Sequence, residues 1–121
     1  MADTGSDKGR NRKWQAFFAA AALYNLVIGL PGLFAAGAST EARLIALFVC
    51  CFGLLYGLVA RDPVRLGAAL WAGVAGKLGV IALMAPGVRA GTAVPGLGWV
   101  LAGDALFTLG FLAFLFRRRA A

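Results

Sequence analysis

A chain of 121 residues that is 61% hydrophobic, 14% charged and of mean hydropathy +0.82 is too apolar for a water-soluble domain of its size. Its net charge of +7 would suit a nucleic-acid binder by amount alone, but the basic residues gather at the ends of apolar stretches, which is how membrane proteins mark their cytoplasmic loops. With no His in the chain and with Cys50 and Cys51 adjacent, there is neither a metal-ligating set nor a CxxC redox motif, and no cofactor is expected.

Residues 1–13 are dominated by Asp, Gly, Ser, Asn, Lys and Arg, too polar to bury themselves, and are expected to form a disordered cytoplasmic tail. The first apolar stretch runs from Trp14 to Phe34, near the ~20 residues that cross a bilayer core. Pro31 removes a backbone hydrogen bond to Val27 and predicts a bend near the exit of this helix. Ala36-Gly37-Ala38 resembles a signal-cleavage site after a basic start; the apolar run is longer than a usual signal core and carries Asn25, so the span is expected to be retained.

The short connection from Ala35 to Glu41 makes the first two helices antiparallel neighbours. The second stretch, Ala42 to Ala60, places Ala46, Cys50, Gly53, Gly57 and Ala60 on one face, with a GxxxG at Gly53 and Gly57. Lipid supplies little hydrophobic drive between helices, so small residues that let backbones approach are the expected packing surface. The adjacent thiols read as small packing residues. Arg61-Asp62-Pro63 then places a capping acceptor at Asp62 and a φ-locked proline at the first position of the next helix.

The third stretch, Val64 to Ala85, has a similar stripe at Ala69, Ala72, Gly73, Gly76 and Gly79. The connection from Pro86 to Gly96, with Pro86, Gly87, Gly91, Pro95 and Gly96, is expected to break helix and face the exterior. The fourth stretch, Leu97 to Phe116, closes a transmembrane domain of residues 14–116, and residues 117–121 form a basic C-terminus. Each stretch is continuously apolar rather than alternating, which excludes the strands of a membrane barrel. The expected fold is all-α, an integral membrane four-helix bundle of up-down-up-down topology.

Lys8, Arg10, Arg12, Lys13, Arg61, Arg65, Arg117, Arg118 and Arg119 lie on one side of such a bundle and only Arg43 and Arg89 on the other. This asymmetry places both termini in the cytoplasm of a bacterial inner membrane. Arg117, Arg118 and Arg119 also suit anionic lipid head groups. Trp14 and Trp99 fall at span ends, where aromatic anchors are expected.

Lys77 and Asp104 are single charges in the third and fourth stretches, where burial of a charge costs about 2.5–3.5 kcal/mol on insertion scales. Counted from the exterior loop, both lie roughly 10–12 Å deep, and Asn25 lies about 13 Å deep in the first helix. The three are expected to converge on one polar layer. Side-chain lean toward the helix N-terminus carries Lys77 and Asp104 apart, so a direct pair requires the lysine to bend back, or else a bridging water.

Three uses of this layer compete: a structural ion pair that Asn25 completes; a pocket for the polar head of a quinone, lipid or small hydrophobic molecule, to which Thr108, Tyr24 and Tyr56 add hydrogen bonds; and a proton-coupled transport site at Asp104, which would need a homodimer. Catalysis is not expected, because no second reactive group accompanies this Lys and Asp.

The segments Tyr56 to Pro63, Gly73 to Lys77 and Gly103 to Phe107 resemble small bacterial four-helix membrane proteins of uncharacterised function. They are similar more loosely to the DoxX-like group, some of whose members are linked to quinol oxidases or thiol redox complexes. The resemblance implies mainly the bundle; no redox cysteine pair or cofactor ligand carries over to support an oxidoreductase association. Small multidrug transporters of similar length carry an essential acid in the first helix, where this chain has Asn25.

Overall fold

The computed structural model describes residues 4–120, with side chains from 11 to 117. It contains α1 (Thr4–Leu33), α2 (Thr40–Arg61), the short α3 (Pro63–Leu66), one 3₁₀ turn (Gly67–Ala69), α4 (Leu70–Ala90) and α5 (Leu97–Ala120), and no strand among the described residues. Four helical spans, Asn11–Leu33, Thr40–Arg61, Pro63–Ala90 and Leu97–Arg117, are long and apolar enough to cross a membrane. Leu23, Val27, Leu58, Leu83, Leu106 and Leu109 are exposed in mid-span, as expected of side chains whose solvent is lipid.

The helix boundaries differ from the sequence expectation at two places. Most of the segment expected to be a disordered tail is helical, since α1 begins at Thr4. Once the apolar part of α1 is formed, each further turn adds a backbone hydrogen bond without a new nucleation cost. The break expected at Pro86 also lies later, because α4 continues through it to Ala90. A proline inside a membrane helix removes only one backbone bond, and such helices tolerate it. The helix ends instead at Gly91, whose φ of 77° is a left-handed conformation natural to glycine. The Gly87 carbonyl there accepts from the backbone amides of Gly91, Thr92 and Ala93.

The helix starts follow the sequence more closely. Asp62 Oδ1 accepts from the Arg65 amide at 3.2 Å and Pro63 opens α3, as expected. Ser39 caps α2, its Oγ accepting from the Ala42 amide at 3.1 Å.

The chain divides into two compact units, Met1–Gly67 and Ala68–Ala121. The first unit is an antiparallel hairpin of α1 and α2. Their closest approach runs over glycine: a Cβ built on Gly53 would lie 3.1 Å from Asn25 Cβ and 3.2 Å from the Ala22 carbonyl oxygen. One on Gly29 would lie 2.7 Å from Cys50 Sγ and 3.0 Å from the Ala46 carbonyl oxygen. Gly57 makes only ordinary contact, its Cβ position being 3.9 Å from Ala22 Cβ. At the far end, Gln15 Nε2 donates to the Arg61 carbonyl at 3.4 Å and ties the early part of α1 to the last residue of α2.

The second unit is an antiparallel hairpin of α4 and α5, in which Trp71 meets Phe116 edge to face at 6.0 Å and Gly98 lies against Val88. Gly73 is buried and Gly76 half-buried on α4. A Cβ at Gly79 meets no atom within 4 Å, so this residue, expected in the packing stripe, is not needed for close approach. The helical 100° step carries Gly79 off the line of the buried Gly73 and Lys77.

Candidate functional site

Lys77 and Asp104 meet directly. Lys77 Nζ donates to Asp104 Oδ1 at 2.6 Å, with the lysine side chain 6% exposed and the aspartate 12%. No bridging water is needed. The register of the two helices explains the geometry. Lys77 stands six residues beyond Trp71, while Asp104 stands twelve before Phe116, and these two rings touch. After allowance for the lean of both rings, the Lys77 backbone sits about one turn, roughly 5 Å, toward the start of α4 from the level of Asp104. The lysine therefore extends toward its own helix C-terminus, against the usual lean, as a direct pair was expected to require. Its ammonium lies 5.8 Å from the centroid of the Phe107 ring, which adds a cation–π attraction.

Thr108, one turn along α5, does not point its hydroxyl proton at this pair. Its Oγ1 donates to the Asp104 backbone carbonyl at 2.7 Å. In hydrocarbon a threonine hydroxyl commonly satisfies itself on the i−4 carbonyl, and its oxygen keeps its own acceptor capacity.

Among the described residues, no buried side-chain nitrogen or oxygen lacks a hydrogen bond. Asp104 Oδ1 takes the lysine, and the aspartate side chain keeps the greater residual exposure of the two. The site is thus a buried ion pair in which the carboxylate, with several acceptor positions, has capacity beyond its one lysine donor.

Asn25, Tyr24 and Tyr56 belong to the first unit. Asn25 is buried and its Nδ2 donates to the Val49 carbonyl at 3.0 Å, which gives it a role within its own hairpin. Tyr56 is fully buried with its ring 6.3 Å from Phe52, and Tyr24 is half-buried. An open depression of about 540 Å³ lies along α4, lined by Ala82, Ala85, Pro86, Arg89 and Ala90; neither Lys77 nor Asp104 lines it. The side chains of Arg118 and Arg119 fall outside the described residues, and Arg117 is exposed at the end of α5.

Sequence reasoning missed Gly29 and Gly32 as packing residues. Their signal was present, since Ala22, Asn25, Gly29 and Gly32 follow helical spacing on α1, and a Cβ at Gly32 would lie 3.1 Å from Ala46 Cβ. Cys50 fulfils its expected packing role against Gly29, while Cys51 is exposed.

Four helices of membrane-spanning length and apolarity, arranged as two hairpins, the second holding a buried ion pair, define a multi-pass α-helical membrane protein. Comparison with known protein families, with characterised proteins and with solved structures gave no match.

Proposed function

We propose that this is a non-enzymatic protein of the bacterial inner membrane, with both termini cytoplasmic. It acts as an accessory or amphiphile-binding subunit whose polar centre is Lys77 and Asp104. The observation that carries this reading is the buried 2.6 Å Lys77–Asp104 ion pair, in segments otherwise able to cross a membrane. An ionisable group at such depth is a functional-site candidate by default. An acceptor with spare capacity suits a ligand head that donates a hydrogen bond, such as a hydroxyl or an amine, while the apolar flanks of α4 and α5 suit its hydrocarbon.

A kinship with the DoxX-like group fits the accessory role, and we propose it on the segments that carry the resemblance. Anionic lipid at Arg117 fits the basic end of α5 in the same way.

Gentle extraction from the native membrane, followed by intact mass measurement, tests the proposal. A ligand-binding protein leaves with an added mass of a few hundred daltons that the Lys77→Ala/Asp104→Ala variant lacks; an accessory subunit leaves with its partner. A parent protein that emerges bare, as a monomer or a dimer, would remove the support for both roles.

A further inference from the structure

The loop end of α4 carries a second polar feature. The open depression of about 540 Å³ there is lined by Ala82, Ala85, Pro86, Arg89 and Ala90, a run of about 12 Å along the helix. Arg89 is one helical step round from Val88, whose Cγ1 lies 3.3 Å from the Cβ position of Gly98 on α5. Ala82, Pro86, Arg89 and Ala90 are exposed, and Leu83 beside them is 84% exposed, so the depression opens away from the hairpin.

Arg89 has no task inside the protein. Of the two basic residues expected on the sparsely charged side of the membrane, Arg43 donates to the Ala35 carbonyl at 3.2 Å and ties α2 to the connection before it. Arg89 makes no hydrogen bond or ion pair among the described residues. Its place in the last turn of α4 would suit the capping of helix carbonyls, but other groups do that work. The Gly87 carbonyl takes the amides of Thr92 and Ala93 at 2.9 and 3.2 Å and the Thr92 hydroxyl at 3.3 Å, and the Val88 carbonyl takes the Gly91 amide at 3.2 Å. An unshared guanidinium is a planar fork of donors that matches phosphate.

Pro86 supplies the second group. It has no amide hydrogen, so the Ala82 carbonyl loses the donor that the residue four positions on ordinarily provides. In a membrane such a carbonyl is made good by a neighbouring group. No side chain among the described residues donates to it. Ala82 and Arg89 are about 10 Å apart along the axis, but helical carbonyls point toward the C-terminus and side chains lean toward the N-terminus, so acceptor and guanidinium approach each other along the depression. The cation stands on the loop side and the acceptor on the hydrocarbon side.

We propose that this depression holds a single-chain phosphate amphiphile, with the phosphate on Arg89, a hydroxyl beneath it donating to the Ala82 carbonyl, and the chain along the apolar span below. The order of the groups selects this class. A diacyl phospholipid has its remaining glycerol oxygens esterified and offers no donor between phosphate and chains, whereas a monoacyl glycerophosphate keeps one. The volume falls within the roughly 300–1,000 Å³ of small-ligand sites. The site is separate from Lys77 and Asp104 and does not depend on the role proposed for them.

Titration of the full chain, in nanodiscs of zwitterionic phospholipid, with 1-acylglycerol 3-phosphate tests this, read by the mass of the intact complex. Two chain-matched probes separate the groups: monoacylglycerol lacks the phosphate, and acylpropanediol phosphate lacks the hydroxyl. The parent should take up one molecule of 1-acylglycerol 3-phosphate, preferring it about tenfold over monoacylglycerol and about fivefold over acylpropanediol phosphate, as a charged and a neutral hydrogen bond would give. Arg89→Gln should erase the first preference alone. Pro86→Ala, which returns an amide to the Ala82 carbonyl, should erase the second alone. Both positions are exposed, so both variants should melt no lower than the parent by more than a few degrees, which a thermal scan checks. Absence of either preference in the parent, or preferences that survive these substitutions, would mean unselective lipid contact and overturn the proposal. Lys77→Ala/Asp104→Ala should bind as the parent does; a loss of uptake confined to that variant would place the ligand at the ion pair and overturn it equally.

Discussion

Asn25 and Gly53 are in contact because one of them has no side chain: a Cβ on Gly53 would lie 3.1 Å from the Cβ of Asn25. The same approach lets the Asn25 amide reach the Val49 carbonyl, one turn before Gly53 on α2. The helix-packing glycine and the buried amide are therefore one device.

Gly53→Ala should lower stability by about 1–3 kcal/mol, the usual cost of overpacking a tight interface. Gly79→Ala, where the added methyl meets nothing, should be neutral or raise stability by about 0.5–1 kcal/mol through the helix preference of alanine. Thermal melts of the two purified variants in the same detergent check the contrast. Equal effects would mean that the α1–α2 approach is looser than described.

Gly29→Ala should be the most damaging glycine replacement. Its Cβ would lie 2.7 Å from Cys50 Sγ, and also 3.0 Å from the Ala46 carbonyl oxygen and 3.2 Å from the Cys50 amide nitrogen, which are backbone atoms that cannot turn aside. Cys50→Ala should accordingly rescue it only in part. Gly57→Ala, at 3.9 Å from its neighbour, should be mild. Yields of folded monomer after extraction would rank the three.

Asn25→Ala removes a hydrogen bond between helices, which in membranes averages about 0.6 kcal/mol and reaches about 1.7. A loss in that range is expected in a melt or denaturant titration. Thr108→Val should cost less than about 1 kcal/mol, since the Asp104 carbonyl that Thr108 Oγ1 reaches also faces the helical amide one turn on. A large loss on Thr108→Val would mean that the hydroxyl serves more than its own helix.

The fold was legible in the sequence because lipid imposes a simple rule: every span must be long, apolar and helical. Asp62 and Pro63 announced their helix start by local chemistry. The Pro86 break was misplaced because a single proline stops helices in water more reliably than in a membrane, where neighbouring groups make up for the lost bond. For the site, charge scarcity was enough to find Lys77 and Asp104, but not to assign the partner of Asn25. That depended on Gly53 and Val49, whose roles exist only once α1 and α2 are in register. The choice of the Thr108 hydroxyl for its i−4 carbonyl was likewise not legible, since it depends on the side-chain rotamer within the helix.

The measurement that tests the central claim most directly is a melting comparison of Lys77→Ala, Asp104→Ala and the double variant, reconstituted in bilayers. Removing one member of a buried pair strands the other charge and typically costs about 3–5 kcal/mol, while removing both does not. The account predicts that each single variant melts well below the parent and that the double variant melts above either single. Single variants that melt like the parent would contradict the burial of these two charges against each other.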